Sequence, residues 1–132
     1  FLGSDETPQV TVEVISTVTD WPTRIVITLI VAVVTPIVEE MTFRGLLLRY
    51  LLERTTPRAA LVVSALLFAA FHAFGTNGPA AAAVTVLQTF LAGLVLGLLA
   101  IRSGRLSRSI FTHAGFNLFT ILVLFFAPDL PV

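Results

Sequence analysis

Long apolar segments separated by short polar ones run through most of the chain, from about residue 24 to residue 127. About 20 consecutive apolar residues are needed to cross a bilayer as a helix. We expect spans at about Arg24 to Arg54, Pro57 to Phe74, Ala80 to Ile101 and Ser109 to Ala127. The pattern therefore predicts an all-α fold, a polytopic transmembrane bundle of about four membrane-spanning helices.

Residues outside the apolar segments define the ends of the predicted domain. Residues 1–23 carry four acids and two prolines and end near Trp21, so we interpret them as an extramembrane lead-in. Residues 24–127 form the helical domain, and residues 128–132 form a tail. The chain begins at Phe1 rather than at methionine, and we expect it to be part of a longer protein.

Local signals predict where the helices begin and how they pack. Thr56 followed by Pro57 is typical of an N-cap and a first helical residue. Gly93 and Gly97 have the spacing that allows two helix backbones to approach closely. Pro36 removes a helical N–H and predicts a kink in the first span.

The composition narrows the class of protein and of partner. Of 132 residues, 56% are hydrophobic and 12% are charged, far below the quarter or so that is typical of soluble domains. The formal net charge is zero, which gives no case for a nucleic-acid partner, whereas membrane lipid is expected. The chain has no cysteine, which excludes thiolate ligands and a cysteine nucleophile.

The arginines predict the orientation. The loops around Arg54–Arg58 and Arg102–Arg108 lie on the same side of the predicted bundle, and the opposite side holds only Arg24. Cytoplasmic loops of membrane proteins carry an excess of basic residues. We therefore expect the two basic loops to be cytoplasmic.

Candidate chemistry begins with three charges inside the first span, at Glu39, Glu40 and Arg44. Glu40 and Arg44 are four residues apart and are expected to form an ion pair on one helix face. Glu39 points about 100° away and needs another partner. Intramembrane charges usually face a bundle interior and mark a functional site. The alternative interpretation is that the three charges form a packing lock between helices, without chemistry.

Both histidines of the chain also fall within predicted spans. His72 follows Phe68 by one turn in the second span, and His113 precedes Asn117 by one turn in the fourth. A buried carboxylate is a competent base for water, and an imidazole and an amide can stabilise an oxyanion. Alternatively, Glu39, His72 and His113 would bind zinc with one open position for water.

Three motifs lie in order on three of the predicted spans: Glu39-Glu40-x-x-x-Arg44, Phe68-x-x-x-His72 and His113-x-x-x-Asn117. Together they resemble the motifs of the CPBP family of intramembrane proteases, which includes the type II CAAX prenyl proteases and proteins associated with bacteriocin processing and self-immunity. The resemblance implies a membrane endopeptidase in which Glu39 activates water with the help of His72. It also implies that His113 and Asn117 stabilise the oxyanion, with Glu40, Arg44 and Phe68 in supporting roles.

The same resemblance implies a peptide or protein substrate at the membrane, with prenylated CAAX-type substrates as one class. No metal is expected in the glutamate mechanism, and zinc remains the alternative. Two other functions stay open: an immunity or binding protein without turnover, and a fragment of a proton-coupled transporter. A transporter is expected to contain an internal repeat, and the sequence shows none.

The positions of the histidines along their spans set a geometric condition. His72 lies about 22 Å of helical rise from the basic end of its span, whereas His113 lies only about 8 Å from the basic end of its own. If both histidines belong to one site, the first two helices must extend about 10–15 Å further than the fourth helix at the basic end of the bundle. The carboxylate of Glu39 and both imidazoles should then converge within several ångströms.

Overall fold

A computed structural model describes residues 17–74, 76 and 78–126, and from Trp21 to Phe126 these residues form four helices. They are α1 (Trp21–Leu52), α2 (Pro57–Ala73), α3 (Pro79–Ser103) and α4 (Leu106–Phe126). No strand occurs in this part of the chain, which confirms the predicted all-α bundle. Most of the expected lead-in, together with the expected tail, lies outside the described residues.

Within the described part of the chain, three helices, α1, α3 and α4, are long and apolar enough to cross a membrane. Helix α2 has 17 residues and is shorter, about 25 Å at ~1.5 Å per residue. The spans therefore match the expected order, but the second does not match the others in length.

Capping explains where the helices begin. Asp20 accepts a hydrogen bond from the Thr23 N–H at 2.9 Å, so α1 begins three residues earlier than expected. That backbone hydrogen bond also holds the pKa of Asp20 below its ordinary value, which favours the ionised cap. At the start of α2, the Thr56 hydroxyl accepts from the Ala59 N–H at 3.3 Å, which confirms the predicted cap.

Helices α2 and α3 form a close antiparallel pair. A β-carbon placed on Gly93 would lie 3.1 Å from the Cα of Ala65, and one placed on Gly97 would lie 2.6 Å from a methyl group of Leu61. The two glycines therefore permit the close approach that their spacing predicted.

Helix α4 runs antiparallel to α1. The rings of Trp21 and Phe126 are 6.3 Å apart at one end. At the other end, a β-carbon on Gly45 would lie 3.3 Å from Leu106, the first residue of α4. Since α1 continues to Leu52, it extends beyond the start of α4 by about 10 Å at ~1.5 Å per residue. For α1, this extension agrees with the geometric condition inferred from the histidines.

Many large apolar side chains lie on the outside of the bundle, and small residues lie in its interior beside a few large ones such as Phe68 and Leu96. Leu46, Phe71 and Phe119 are among the exposed apolar residues, whereas Ala60, Ala65, Ala69 and Gly93 lie in the interior. Because lipid provides no hydrophobic driving force between helices, close contact of small residues contributes van der Waals packing to such a bundle.

The contact between α2 and α3 generates a stability prediction. We expect Gly93→Ala to lower the free energy of unfolding by about 1–3 kcal/mol, because the added methyl meets the Ala65 backbone rather than a movable side-chain end. Gly115→Ala is the matched control, since a β-carbon there meets nothing within 4 Å. Thermal unfolding in detergent measures both. An unchanged melting temperature for Gly93→Ala would contradict the close contact.

Candidate active site

Three helices bring Glu39, His72 and His113 into one cluster. The Nε2 atom of His72 lies 3.7 Å from Glu39 Oε1, and the Nε2 atom of His113 lies 3.6 Å from Glu39 Oε2. The side chain of Glu39 is 14% exposed, that of His113 is 8% exposed and that of His72 is 26% exposed. The structure thus joins the three side chains in one partly buried cluster, and His72 forms its most exposed side.

Glu40 and Arg44 form the predicted ion pair, fully buried, with Arg44 NH1 donating to Glu40 Oε1 at 2.7 Å. The same carboxylate oxygen lies 3.0 Å from His113 Nδ1. Arg44 NH2 also donates to the Gly93 carbonyl at 3.2 Å, and the guanidinium lies 4.4 Å from the centre of the Phe68 ring. One ion pair therefore contacts residues from all four helices.

These contacts fix which nitrogen of each imidazole carries its hydrogen. The ionised Glu40 and the Phe68 carbonyl can only accept, so Nδ1 is the donor in both His113 and His72. In a neutral ring, Nε2 is then an acceptor, and each Nε2 faces one oxygen of Glu39. The centre of the cluster consists of acceptors, which suits a water molecule or a shared proton.

Two π-helical segments, Ile30–Val34 and Met41–Leu48, flank the two glutamates in α1. In the first, the Thr35 N–H bonds to the Ile30 carbonyl, five residues back. The next donor in that register would be Pro36, which has no N–H, so the Val31 carbonyl loses its partner within the helix. Asn117 Nδ2 donates to that carbonyl at 2.8 Å. Such π segments are often found at functional sites.

Asn117 therefore lies one turn from His113 but has a different partner. Its amide fastens α4 to the irregular part of α1, two turns before the glutamates. A primary amide has a second N–H, so this bond leaves one donor free for another acceptor. The structure adds a helix-joining contact that the sequence did not predict.

Aromatic rings enclose the cluster on one side. Phe68 packs against His72 with ring centres 4.4 Å apart and against His113 at 5.9 Å. Phe43 and Phe71 extend this wall, and Phe43 contacts Phe68 at 5.0 Å. The sequence singled out Phe68 but missed Phe43, although its place between Glu40 and Arg44 was a usable signal.

Among the described residues, no group of three or more His, Cys, Asp or Glu side chains has an arrangement suited to a metal ion. Each Nε2 lies nearest to a different oxygen of Glu39. Glu39, His72 and His113, the ligands of the zinc alternative, are thus close together without forming a group of this kind.

A polytopic helical bundle with a partly buried carboxylate and two imidazoles at its centre carries the ionisable groups that mark a functional site inside a membrane. Residues 21–119, about three quarters of the chain, match the family model described as Type II CAAX prenyl endopeptidase Rce1-like. The chain belongs to this family of intramembrane endopeptidases, which act on membrane-associated peptides or proteins, and is an integral membrane protein. No curated protein and no solved structure matches it.

The bond from Asn117 to Val31 generates a double-variant prediction. We expect Asn117→Ala to cost about 1–3 kcal/mol of stability, because a part-buried carbonyl loses its donor. In a Pro36→Ala background the cost should be smaller, since residue 36 then supplies an N–H. The four melting temperatures of the cycle, measured in detergent, give the coupling energy. Additive costs would contradict the compensation of Pro36 by Asn117.

Proposed function

We propose that this protein is an endopeptidase that hydrolyses peptide bonds of lipid-anchored, CAAX-type substrates with water activated by Glu39 and His72. The observation that carries the proposal is the pair of acceptors formed by Glu39 Oε1 and His72 Nε2, 3.7 Å apart at the more exposed side of the cluster. A water that donates one hydrogen to each acceptor directs its lone pairs outward, toward a substrate carbonyl.

The charges around the cluster support a mobile proton. Glu39, Glu40 and Arg44 together carry a net charge of minus one when all three are ionised. In a site of low dielectric, one additional proton shared by Glu39 and the imidazoles brings the cluster to neutrality. The contact of His113 Nδ1 with the Glu40 carboxylate at 3.0 Å directs the Nε2 atom of this ring toward Glu39.

The reaction then proceeds without a covalent intermediate on the enzyme. The water gives a proton to Glu39 or His72, and its oxygen bonds to the carbonyl carbon of the scissile peptide. The carbonyl oxygen becomes an oxyanion, which the Nε2–H of a protonated His113 stabilises, joined by the second N–H of Asn117 if the amide turns inward. Collapse breaks the C–N bond, and the proton taken from water passes to the leaving amine.

We further propose that the basic loops around Arg54–Arg58 and Arg102–Arg108 face the cytoplasm, as the positive-inside rule implies. Prenylated and unprenylated forms of one CAAX-type peptide, given to the full-length protein in detergent, test the substrate class by mass spectrometry of the products. Cleavage of neither form by the wild-type protein would contradict the proposed function.

Two neighbouring glutamates separate catalysis from stability. We expect Glu39→Gln to reduce hydrolysis at least about 10²-fold with little change in stability, because it removes the base and keeps the shape. Glu40→Gln should instead lower the free energy of unfolding by about 3 kcal/mol, because it leaves Arg44 buried without its counter-charge. Peptide cleavage and thermal unfolding of both variants distinguish the roles. Full activity in Glu39→Gln would rule out its assignment as the base.

Metal content separates the glutamate mechanism from the zinc alternative. We expect the purified full-length protein to contain far less than one zinc per chain and to remain active in a strong chelator, because the proposed mechanism routes no step through a metal. Elemental analysis and activity assays measure both. A stoichiometric zinc that disappears in His72→Ala together with activity would establish the zinc alternative instead.

A further inference from the structure

A cavity of about 190 Å³ opens at the basic end of the bundle, the end that carries the α1–α2 and α3–α4 connections. It lies between the last turns of α1 and the connection from α3 to α4. Arg49 and Arg105 line it together with apolar residues that include Leu48, Leu52 and Leu106. The cavity is therefore apolar inside, and two guanidinium groups of exposed residues border it.

A shallow apolar groove of about 380 Å³ continues from this cavity along α1. It shares Arg49 and Leu106 with the cavity and extends past Leu46 and Met41 to Val38. The distance from Val38 to Arg49 along the helix is about 16 Å at ~1.5 Å per residue. Cavity and groove together form an amphipathic surface, with cations at one end and an apolar track at the other.

The two cations lack compensation within the described part of the chain. Neither Arg49 nor Arg105 has a side-chain hydrogen bond or ion pair there, and the acid of this end, Glu53, contacts Arg54 at 3.4 Å. Arg44, which also lines the cavity, is committed to Glu40 and Gly93. Two unpaired guanidinium groups beside an apolar cavity favour an anion that carries an apolar chain.

We propose that this cavity binds an anionic phospholipid, with the phosphate between Arg49 and Arg105 and one acyl chain in the groove along α1. A free phosphate would leave the apolar track unfilled, and a neutral lipid would leave both arginines without a counter-charge. Glu39, His72 and His113 are not among the residues that line the cavity or the groove, so the proposal stands or falls separately from the proposed peptidase activity.

Titration of the full-length protein in detergent with phosphatidylglycerol and phosphatidylcholine of identical acyl chains, followed by native mass spectrometry, tests this site. The wild-type protein should bind phosphatidylglycerol more tightly. The Arg49→Gln/Arg105→Gln variant should lose about twentyfold to thirtyfold of that affinity, because each arginine near an anionic headgroup contributes roughly a factor of five. The matched control is Arg58→Gln/Arg102→Gln, which removes the same charge at the same end without touching the cavity lining.

The outcomes distinguish a specific lipid-binding site from a general electrostatic attraction between anionic lipid and the basic end of the bundle. An equal loss in both double variants, or no loss in either, would overturn the proposal. So would displacement of the lipid by millimolar glycerol phosphate, because the apolar track would then contribute nothing. Should the glutamine pair fail to fold, Arg49→Lys/Arg105→Lys keeps the charge and is expected to retain most of the preference, and its loss of all preference for the anionic lipid would equally contradict the site.

Discussion

The buried ion pair between Glu40 and Arg44 is the interaction on which the bundle depends. Each charge is expensive in an apolar interior, and removing one partner alone leaves the other uncompensated. The pair gains its further polar contacts only when Gly93 of α3 approaches closely enough to accept from Arg44 and when His113 of α4 reaches the same carboxylate oxygen. The need to neutralise these charges thus couples the packing of the helices to the placement of His113.

Some residues of the site could be predicted from the sequence, and others could not. The Glu40–Arg44 pair follows from helical spacing, and the meeting of Glu39, His72 and His113 was expected because isolated polar groups in apolar spans must face one another. The roles of Val31 and Gly93 could not be predicted, because each contributes a backbone carbonyl to a residue at least 49 positions away. Backbone acceptors have no sequence signature.

The sequence predicted where α1 is irregular, but it did not predict that the irregular segment is π-helical. Pro36 indicated an interruption, and a kink was the simplest expectation. The structure contains a π-helical segment before the proline, and the side chain of Asn117 bonds the carbonyl that the proline cannot serve. A hydrophobic pattern with a period near 3.6 contains no information on such a change of hydrogen-bond register. The change depends on which distant side chain can donate to the free carbonyl.

The shortness of α2 has a consequence for the surrounding membrane. Its 17 residues end one position after His72, whereas α1, α3 and α4 continue further. Lipids beside a helix shorter than the hydrocarbon thickness compress, at a cost of fractions of a kcal/mol per ångström of mismatch. Thinning of the bilayer beside α2 would bring headgroups and water nearer to the Glu39 cluster than the average thickness allows. The thickness of the membrane would then affect how readily a hydrated peptide reaches these buried polar groups.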